Sequence, residues 1–380
     1  SSSESVYFFG PATSSILRTA ENDRVVDALR NDQSVLGFDA INVNAHLLDG
    51  STDSFFLNFA PGLVFEVSRD KSYWINDEYT AWTGEIDTGI DVKLGEDDFN
   101  PNRAVFVRSV EGRVFGQIRL DGQVFEVNTM EKGGYLLVER DFSTIGYEDD
   151  TPKHSGKNAP LLSAANAPAE GSTRATSTVR VLQAASPQAI NALGGGGPTV
   201  DRMNFFLAQS NDVYSNNQID LVLQDAGKFN SGANERSTAF SNVNGLGNPS
   251  DGYLDTFYGP TRDSRSADLV GLIVSTPSDP GICGVADGIG VNANSAFFVN
   301  KLSCTNFTFV HEIGHLFGAR HDNDPNTSPF RYGHGFVSAA GNFRTIMAVS
   351  SNPQPRIALF STDRFTVGGI LAGDSSFRDK

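Results

Sequence analysis

The sequence predicts two domains of different class, a β-rich domain followed by an α/β domain. Three observations lead to this prediction. Residues 105–127 alternate apolar and polar side chains around a two-residue turn at Asp121-Gly122, as in an antiparallel meander. Residues 151–177 contain few large apolar side chains and show no period. From residue 178 onward, short apolar strands alternate with helical patterns, which is typical of α/β proteins.

The β-rich domain is assigned to residues 1–150. Its strands are predicted from short runs of aromatic and β-branched residues that are bounded by turn residues. A short helix is also expected near residues 24–29. The predicted strands are 55–59, 63–67, 82–86, 105–107, 114–120 and 124–127. We expect these strands to form an antiparallel meander that packs as a sandwich or an open barrel.

Residues 151–177 are predicted to be an exposed linker. The stretch is rich in Ala, Ser and Pro up to Arg174. Proteolytic nicking concentrates in such segments, so we expect an activation cleavage here. The chain of 380 residues is long enough for one domain on each side of this linker.

Residues 178–380 form the predicted α/β domain. Pro198 and Thr199 begin a helix that places Met203, Phe206 and Leu207 on one face. The run DLVGLIVS at 268–275 has the continuous apolar character of a buried strand. The other predicted strands are 178–182, 219–223, 283–292 and 297–299, and further helices are expected at 252–258 and 305–318.

The composition argues against two classes of partner. A net charge of −16 and a pI of about 4.7 disfavour nucleic acid, which is bound through cationic patches. No apolar run in the sequence is long enough to cross a bilayer. The chain begins at Ser1 without Met, which fits either the removal of a signal peptide or a trimmed sequence, and we favour the first. We therefore expect a secreted, extracellular protein that is a monomer.

The run HEIGHLFGARHD at residues 311–322 carries the chemistry. A helix brings His311 and His315 onto one face, where both imidazoles can hold one metal ion. Gly318 can adopt a backbone conformation that lets the chain leave the helix sharply and return His321 as a third ligand. Three imidazoles leave a fourth position for water, which is the arrangement of a catalytic zinc site. A bare H-E-x-x-H also occurs by chance in helices, but the added residues make the zinc site the better interpretation.

This run resembles that of the metzincin metallopeptidases, and Asp322 after the third His points to the adamalysin (reprolysin) branch. That branch has a Met-turn, and Met347 lies 26 residues beyond His321 in a chain with only three methionines. The resemblance covers about residues 178–370 and implies an α/β catalytic domain with a mixed five-stranded sheet and helices. The first half of the chain is similar, more loosely, to the propeptide domain of bacterial members, which implies a mostly antiparallel β domain.

The resemblance also implies the roles of individual residues. Glu312 is expected to activate a zinc-bound water as general base and then to protonate the leaving amine. Met347 would form an apolar floor under the imidazoles, and Asp322 would anchor the third-ligand turn. Residues 350–360 are expected to form the S1′ pocket. His334, in a Gly-rich context, is interpreted as structural and not as a fourth ligand.

A strand edge before the zinc helix is a candidate for substrate binding. By family analogy, an extended protein or peptide substrate would add to this edge as a further strand. The alternative is an ordinary edge strand. The residues of the expected substrate edge are Gly284, Val285, Ala286 and Gly288.

The chain has two cysteines, Cys283 and Cys304. In an oxidising compartment we expect one disulfide between them, and two buried free thiols are the alternative. By family habit, Ca²⁺ is a further candidate cofactor, although no Asp-rich loop specifies a site for it.

The resemblance implies a zymogen in which the chain's own propeptide inhibits the enzyme. No cysteine precedes Cys283, so a propeptide cysteine cannot bind the zinc. Asp149, Asp150 or His154 could occupy the open zinc position, or the propeptide could block the cleft sterically. Two rival interpretations stay open: a non-catalytic binding protein on this scaffold, and an N-terminal domain that binds substrate or a surface and remains attached.

Overall fold

The computed structural model describes residues 6–20, 23–89, 95, 97–145, 175–275, 281–349 and 353–374. Most of the predicted linker, residues 151–174, lies outside the described residues. The chain divides into two compact units: unit 1 is Ser1–Thr144 together with Ile190–Gln209, and unit 2 is Ile145–Ala189 together with Ser210–Lys380. Within the described ranges, no helix is long and apolar enough to span a membrane.

Unit 1 contains one antiparallel nine-stranded sheet, as the β-rich pattern predicts. Its strand order is β1-β2-β9-β8-β7-β6-β5-β4-β3. Two helices, α1 (Ser14–Ala20) and α2 (Arg24–Arg30), precede β2. The strands are β1 (Phe9–Pro11), β2 (Val35–Val43), β3 (Ser54–Ala60), β4 (Leu63–Asn76), β5 (Tyr79–Asp87), β6 (Arg103–Ser109), β7 (Val114–Leu120), β8 (Gln123–Thr129) and β9 (Tyr135–Arg140).

The two edges of this sheet are joined by hydrogen bonds. Phe8 N donates to Phe56 O at 2.8 Å, and Phe56 N donates to Val6 O at 2.9 Å. The observed sheet is therefore closer to the predicted open barrel than to the predicted sandwich. Its interior is filled by large apolar side chains, which remove the sheet's apolar face from water. The largest of these are Trp82, Phe8, Phe55 and Phe106.

The sequence prediction is closest in the central hairpins of unit 1. The predicted strand 114–120 has the bounds of β7, and Asp121 and Gly122 both have positive φ, as a tight hairpin turn requires. The prediction misses β1, β2, β9 and α1. It also underestimates β4, which has 14 residues and runs well past the predicted end at residue 67.

Unit 2 contains a mixed five-stranded sheet of order β11-β10-β12-β14-β13, in which β13 is an antiparallel edge strand and the other pairs are parallel. Every residue of β12 is buried, as expected of an inner parallel strand. The five strands are β10 (Ser177–Ala185), β11 (Leu221–Asn230), β12 (Leu269–Val274), β13 (Gly284–Ala286) and β14 (Phe297–Lys301).

Helices and two short hairpins complete this part of the chain. The helix α4 is shared, because its residues up to Gln209 belong to unit 1. The helices are α3 (Pro187–Ala192), α4 (Gly196–Asn216), α5 (Ala239–Leu246), α6 (Asp255–Tyr258), α7 (Pro260–Ser264) and α8 (Thr308–Leu316). The hairpins are formed by β15 (Val337–Ser338) with β16 (Phe343–Arg344), and by β17 (Thr366–Val367) with β18 (Ile370–Leu371).

The observed elements correct the prediction in three places. The edge strand β13 has three residues, whereas residues 283–292 were expected to form one strand. The predicted helix 252–258 begins only at Asp255, because Leu254 has the left-handed φ of +60° and interrupts it. The helices α3, α5 and α7 are not predicted. By contrast, Pro198 lies in the first turn of α4, where a missing N–H costs little.

Cys283 and Cys304 form a disulfide that joins the start of β13 to the loop after β14. We expect reduction to lower the free energy of unfolding by about 3 kcal/mol, because the loop closed by the bond spans 21 positions. Urea unfolding with and without reductant measures this change. A Cys283→Ser, Cys304→Ser double variant should not respond to reductant, and an equal midpoint for the oxidised and reduced protein would contradict the expectation.

Candidate active site

The helix α8 supplies the first two imidazoles and the glutamate of the site. All its residues are buried, including His311, Glu312 and His315. The helix packs against the edge strand β13 and its neighbour β14. Burial of a glutamate and two histidines on a nine-residue helix is unusual, because such groups stay in water unless they have polar or metal partners. This burial marks α8 as the centre of a functional site.

A glycine turn after α8 brings back the third imidazole. Gly318 has a φ of +105°, in the left-handed region that favours glycine. Gly318 N donates to His315 O at 2.8 Å, and Ala319 N donates to Gly314 O at 2.9 Å, which closes the helix end. A Cβ atom on Gly318 would lie 2.7 Å from Pro329 Cγ, so a larger residue would not fit. The chain therefore reverses here and places His321 against α8.

The three imidazoles converge as the donors of a metal ion must. His321 Nε2 lies 3.1 Å from His311 Nε2 and 3.0 Å from His315 Nε2. On the far side of two rings, Ile346 O is 2.8 Å from His311 Nδ1 and Ala319 O is 2.9 Å from His315 Nδ1. These carbonyls accept the Nδ1–H protons and leave the Nε2 lone pairs for a metal. The donor set fits a metal ion held by three nitrogens.

The surroundings keep these imidazoles neutral, which is the state that binds a metal. Burial lowers the pKa of His311 and His315 well below the usual 6.5, and the neighbouring imidazoles lower it further. For His321, burial followed by the positive charges of Arg356 and Arg320 lowers the pKa to about 4.

These pKa values predict how the metal-free protein responds to acid. The unfolded chain binds more protons than the folded one below pH 6.5, so the free energy of unfolding should fall as pH drops from 6.5 toward 4. We expect the metal-free protein to lose about 1–3 kcal/mol over this range through these groups. Urea unfolding at pH 7, 6 and 5 measures the loss. The His321→Ala variant should show a shallower dependence, and an identical slope would contradict the expectation.

Glu312 lies directly behind the edge strand. A Cβ atom on Gly284 would lie 2.6 Å from Glu312 Oε1 and 2.8 Å from Thr308 Cγ2. Only glycine at the first position of β13 leaves room for the glutamate side chain. Gly284, Val285 and Ala286 lie in the edge strand as expected, whereas Gly288 lies beyond its end.

A Gly284→Ala substitution is therefore expected to displace the carboxylate of Glu312. Since a misplacement of about 1 Å can cost a factor of about 100, we predict a fall in kcat of about 10- to 100-fold with unchanged metal content. Gly37→Ala, at an exposed position of β2 where an added Cβ meets nothing within 4 Å, is the matched control and should change kcat by less than about threefold. Peptide-hydrolysis kinetics and metal analysis decide the question, and wild-type kcat in Gly284→Ala would refute the prediction.

Met347 lies in a turn that packs against α8, the helix that carries His311 and His315. Ala348 N donates to Thr345 O at 3.1 Å, and Met347 is buried. A Cβ atom on Gly314 would lie 2.7 Å from Met347 Sδ, so a glycine in α8 admits the thioether. Asp322 Oδ1 accepts from Val349 N at 2.9 Å. This bond ties the segment after His321 to the turn.

Two arginines that the sequence analysis did not single out join this turn. Ala348 O accepts from Arg344 Nη1 at 2.7 Å and from Arg356 Nη2 at 3.0 Å. Arg356 Nη1 also donates to Asn306 O at 2.9 Å, just before α8. Both arginines are buried. Arg344 precedes Met347 by three positions, and Arg356 follows it by nine. The one feature of the sequence that could have indicated a role for these arginines is their closeness to Met347.

Other candidates lie elsewhere. His334 is outside the imidazole cluster, with Nε2 at 2.9 Å from Asn326 O. Of the expected S1′ segment, residues 350–352 lie outside the described residues. The remainder runs beside the turn, where Ile346 N donates to Leu359 O at 2.8 Å. Asp149, Asp150 and His154 also lie outside the described part of the chain, and the described residues contain one cluster of metal-ligating side chains, His311, His315 and His321.

Comparison with known proteins gives one consistent family. A family profile described as Metallo-peptidase family M12 matches residues 175–361. A peptidyl-Asp metalloendopeptidase of Stenotrophomonas maltophilia is 30% identical over 336 residues, which cover 84% of this chain and 78% of that protein. A peptidyl-Asp metalloendopeptidase of Xanthomonas campestris is 33% identical over 288 residues, 73% of this chain and 66% of that protein. The crystal structure of metalloproteinase-II from Bacteroides fragilis matches with a TM-score of 0.43 at 12% identity, covering 75% and 88% of the two chains.

Proposed function

This chain belongs to metallopeptidase family M12 and is a metalloendopeptidase, and from this premise we propose that it is a secreted zinc enzyme whose N-terminal domain inhibits it or assists its folding. The observation that carries the zinc assignment is the convergence of three Nε2 atoms whose rings are fixed through Nδ1. Neutral imidazoles in a three-nitrogen set suit Zn²⁺. His311, His315 and His321 are the proposed ligands.

Glu312 is the proposed general base. Zinc, when bound, lowers the pKa of water and polarises the scissile carbonyl. Glu312 follows the first proposed ligand in α8, and its side chain lies against Gly284 of β13. Its carboxylate takes a proton from the attacking water and later gives that proton to the leaving amine. The edge strand β13 would pair with the substrate backbone and align the scissile bond with Glu312.

The relatives are named peptidyl-Asp metalloendopeptidases, and we propose that this chain likewise prefers to cleave at aspartyl residues. Two guanidinium groups, those of Arg344 and Arg356, meet at Ala348 O, one residue from Met347. The positive charge of Arg356 acts on His311 and His321, where it adds to burial in lowering the pKa. Such charge favours a substrate side chain that carries a carboxylate. Matched peptides with Asp or Asn at the cleavage position test this preference. We expect kcat/KM to be more than about tenfold higher for Asp, and equal values would reject it.

The test of the whole proposal is casein cleavage by the purified chain before and after limited trypsin treatment, beside the Glu312→Ala variant. Activity that rises on nicking within the predicted linker, residues 151–177, and is absent from Glu312→Ala, supports a zymogen. Full activity of the intact chain would reject the inhibitory role of the N-terminal domain and favour an attached binding module. No cleavage by either form of the zinc-loaded protein would reject the endopeptidase activity for this substrate, and an Asp-containing peptide library would then test the activity itself.

A further inference from the structure

The first half of α4 carries polar side chains that are buried. Asp201, Arg202, Asn204 and Gln209 are each at most 3% exposed. Charged residues of a helix normally face water, so a buried face of this kind requires partners. Residues 190–209 belong to the same compact unit as residues 1–144, although the family match places them in the peptidase part of the sequence. The partners lie in the sheet of unit 1.

Asp201 is the centre of the polar contacts. Its Oδ1 accepts from Tyr79 Oη at 2.7 Å and from Arg113 Nε at 3.2 Å, and its Oδ2 accepts from Arg113 Nη2. The pair is bidentate, and the Asp201 side chain is only 3% exposed. Breaking such a buried pair by removing one partner leaves an uncompensated charge and is strongly unfavourable.

Aromatic and amide contacts surround this ion pair. Phe205 packs edge-to-face on Phe115, with ring centroids 4.9 Å apart, and the guanidinium of Arg202 lies 4.4 Å from the Phe115 centroid. Two amide pairs border them: Asn76 Nδ2 donates to Asn204 Oδ1 at 3.2 Å, and Gln209 Nε2 donates to Gln117 Oε1 at 3.1 Å. A central aromatic and arginine cluster with a polar border is the composition of specific protein interfaces.

The loop that begins α4 approaches the N-terminal residues equally closely. Gly194 has a φ of +90°, and a Cβ atom there would lie 2.9 Å from Val25 N. A Cβ atom on Gly197 would lie 2.9 Å from Arg113 Cζ. These glycines permit a backbone approach that any side chain would block.

We infer that residues 194–209 form an interaction surface whose partner is the chain's own residues 6–144, and that this surface holds the N-terminal segment on the peptidase after the linker is cut. The inference rests on the proposed function in one respect: the proposed zymogen is the reason to expect that the linker is cut in nature. Cleavage of one peptide bond between residues 146 and 174 removes none of the contacts around Asp201 and Phe115. Activation then requires a second event that displaces or degrades the bound segment.

The experiment uses the full chain with Glu312→Ala, so that its own activity plays no part, and with a recognition sequence for a site-specific protease placed between residues 155 and 170. After complete cutting, size-exclusion chromatography in native buffer should give both fragments in one peak. The peak should persist in 1 M NaCl, because the charges at Asp201 are buried and little screened. Separate elution of the two fragments in native buffer would overturn the inference.

An Asp201→Ala version of the same chain supplies the second measurement. We expect its cut N-terminal fragment to dissociate at least about tenfold faster than that of the parent chain, as loss of a buried ion-pair partner requires. Asp263→Ala, at an exposed position of α7, is the control and should not change the rate. Equal rates in the two variants would overturn the inference. If Asp201→Ala fails to unfold cooperatively before cutting, the elution of the parent chain decides the question alone.

Discussion

Replacing Glu312 by glutamine is expected to lower kcat/KM for an Asp-containing peptide by about 10²–10⁴-fold, the range in which a positioned acid–base group contributes. Glutamine has nearly the shape of glutamate, so the side chain still fits against Gly284, where a Cβ atom would already be 2.6 Å from Oε1. The three imidazoles are unchanged, and the metal content should stay at one ion per chain. What is lost is the ability to accept and return a proton.

Fluorogenic-peptide kinetics and elemental analysis of the same samples provide the measurement. Glu111→Gln, at an exposed turn of unit 1, is the matched control and should keep wild-type kinetics. A Glu312→Gln protein that binds metal and retains activity within about threefold of wild type would show that another group carries the proton. A loss of metal would instead show that Glu312 supports the metal site.

Removing the third imidazole is expected to have the larger effect on the metal. In His321→Ala, only His311 and His315 remain, and two nitrogens do not complete a three-ligand site. We predict that zinc affinity falls by more than about 100-fold, which exceeds the usual cost of losing an outer hydrogen-bond partner of a ligand. Peptide hydrolysis should fall to background at zinc concentrations that saturate the wild type.

The same variant tests the coupling between metal and folding. A ligand that binds only the folded state at 100 times its Kd raises the free energy of unfolding by about 2.7 kcal/mol. Wild-type protein should therefore melt at a higher temperature with zinc than with a chelator, and His321→Ala should melt at the same temperature in both. His334→Ala is the control, because His334 lies outside the imidazole cluster. A zinc-dependent melting temperature in His321→Ala would contradict the prediction.

The comparison of prediction with structure separates local from non-local information. The turn at Asp121-Gly122 and strand β7 follow from neighbouring residues, and both agree with the structure. By contrast, β2 contains Gly37 and mixes polar and apolar residues without strict alternation. It is a strand because β1 and β9 pair with it on both sides. Pairing partners distant in sequence leave no periodic signal in the strand itself.

The buried half of α4 shows the same limit in a helix. The sequence predicts a helix with an apolar face that contains Met203 and Phe206, and this helix is present. The pattern does not predict that Asp201 and Arg202 are buried as well, because charged residues usually occupy the exposed face. Only the sheet of unit 1, with Tyr79 and Arg113, supplies the partners that make their burial stable.

The sequence by itself determined that three imidazoles come together in this protein, because helix geometry and one glycine turn group His311, His315 and His321 from a run of eleven positions. The roles of Glu312 and Met347 stay predictions from the resemblance to metzincins. Only the tertiary structure decided the surroundings: Gly284 makes room for Glu312, two arginines meet at Ala348 O, and Tyr79, Arg113 and Phe115 of the unit 1 sheet pack on the first half of α4. The physical reason is that ligand spacing depends on backbone geometry over a few residues, whereas burial, charge pairing and close approach depend on segments that meet only when the chain folds.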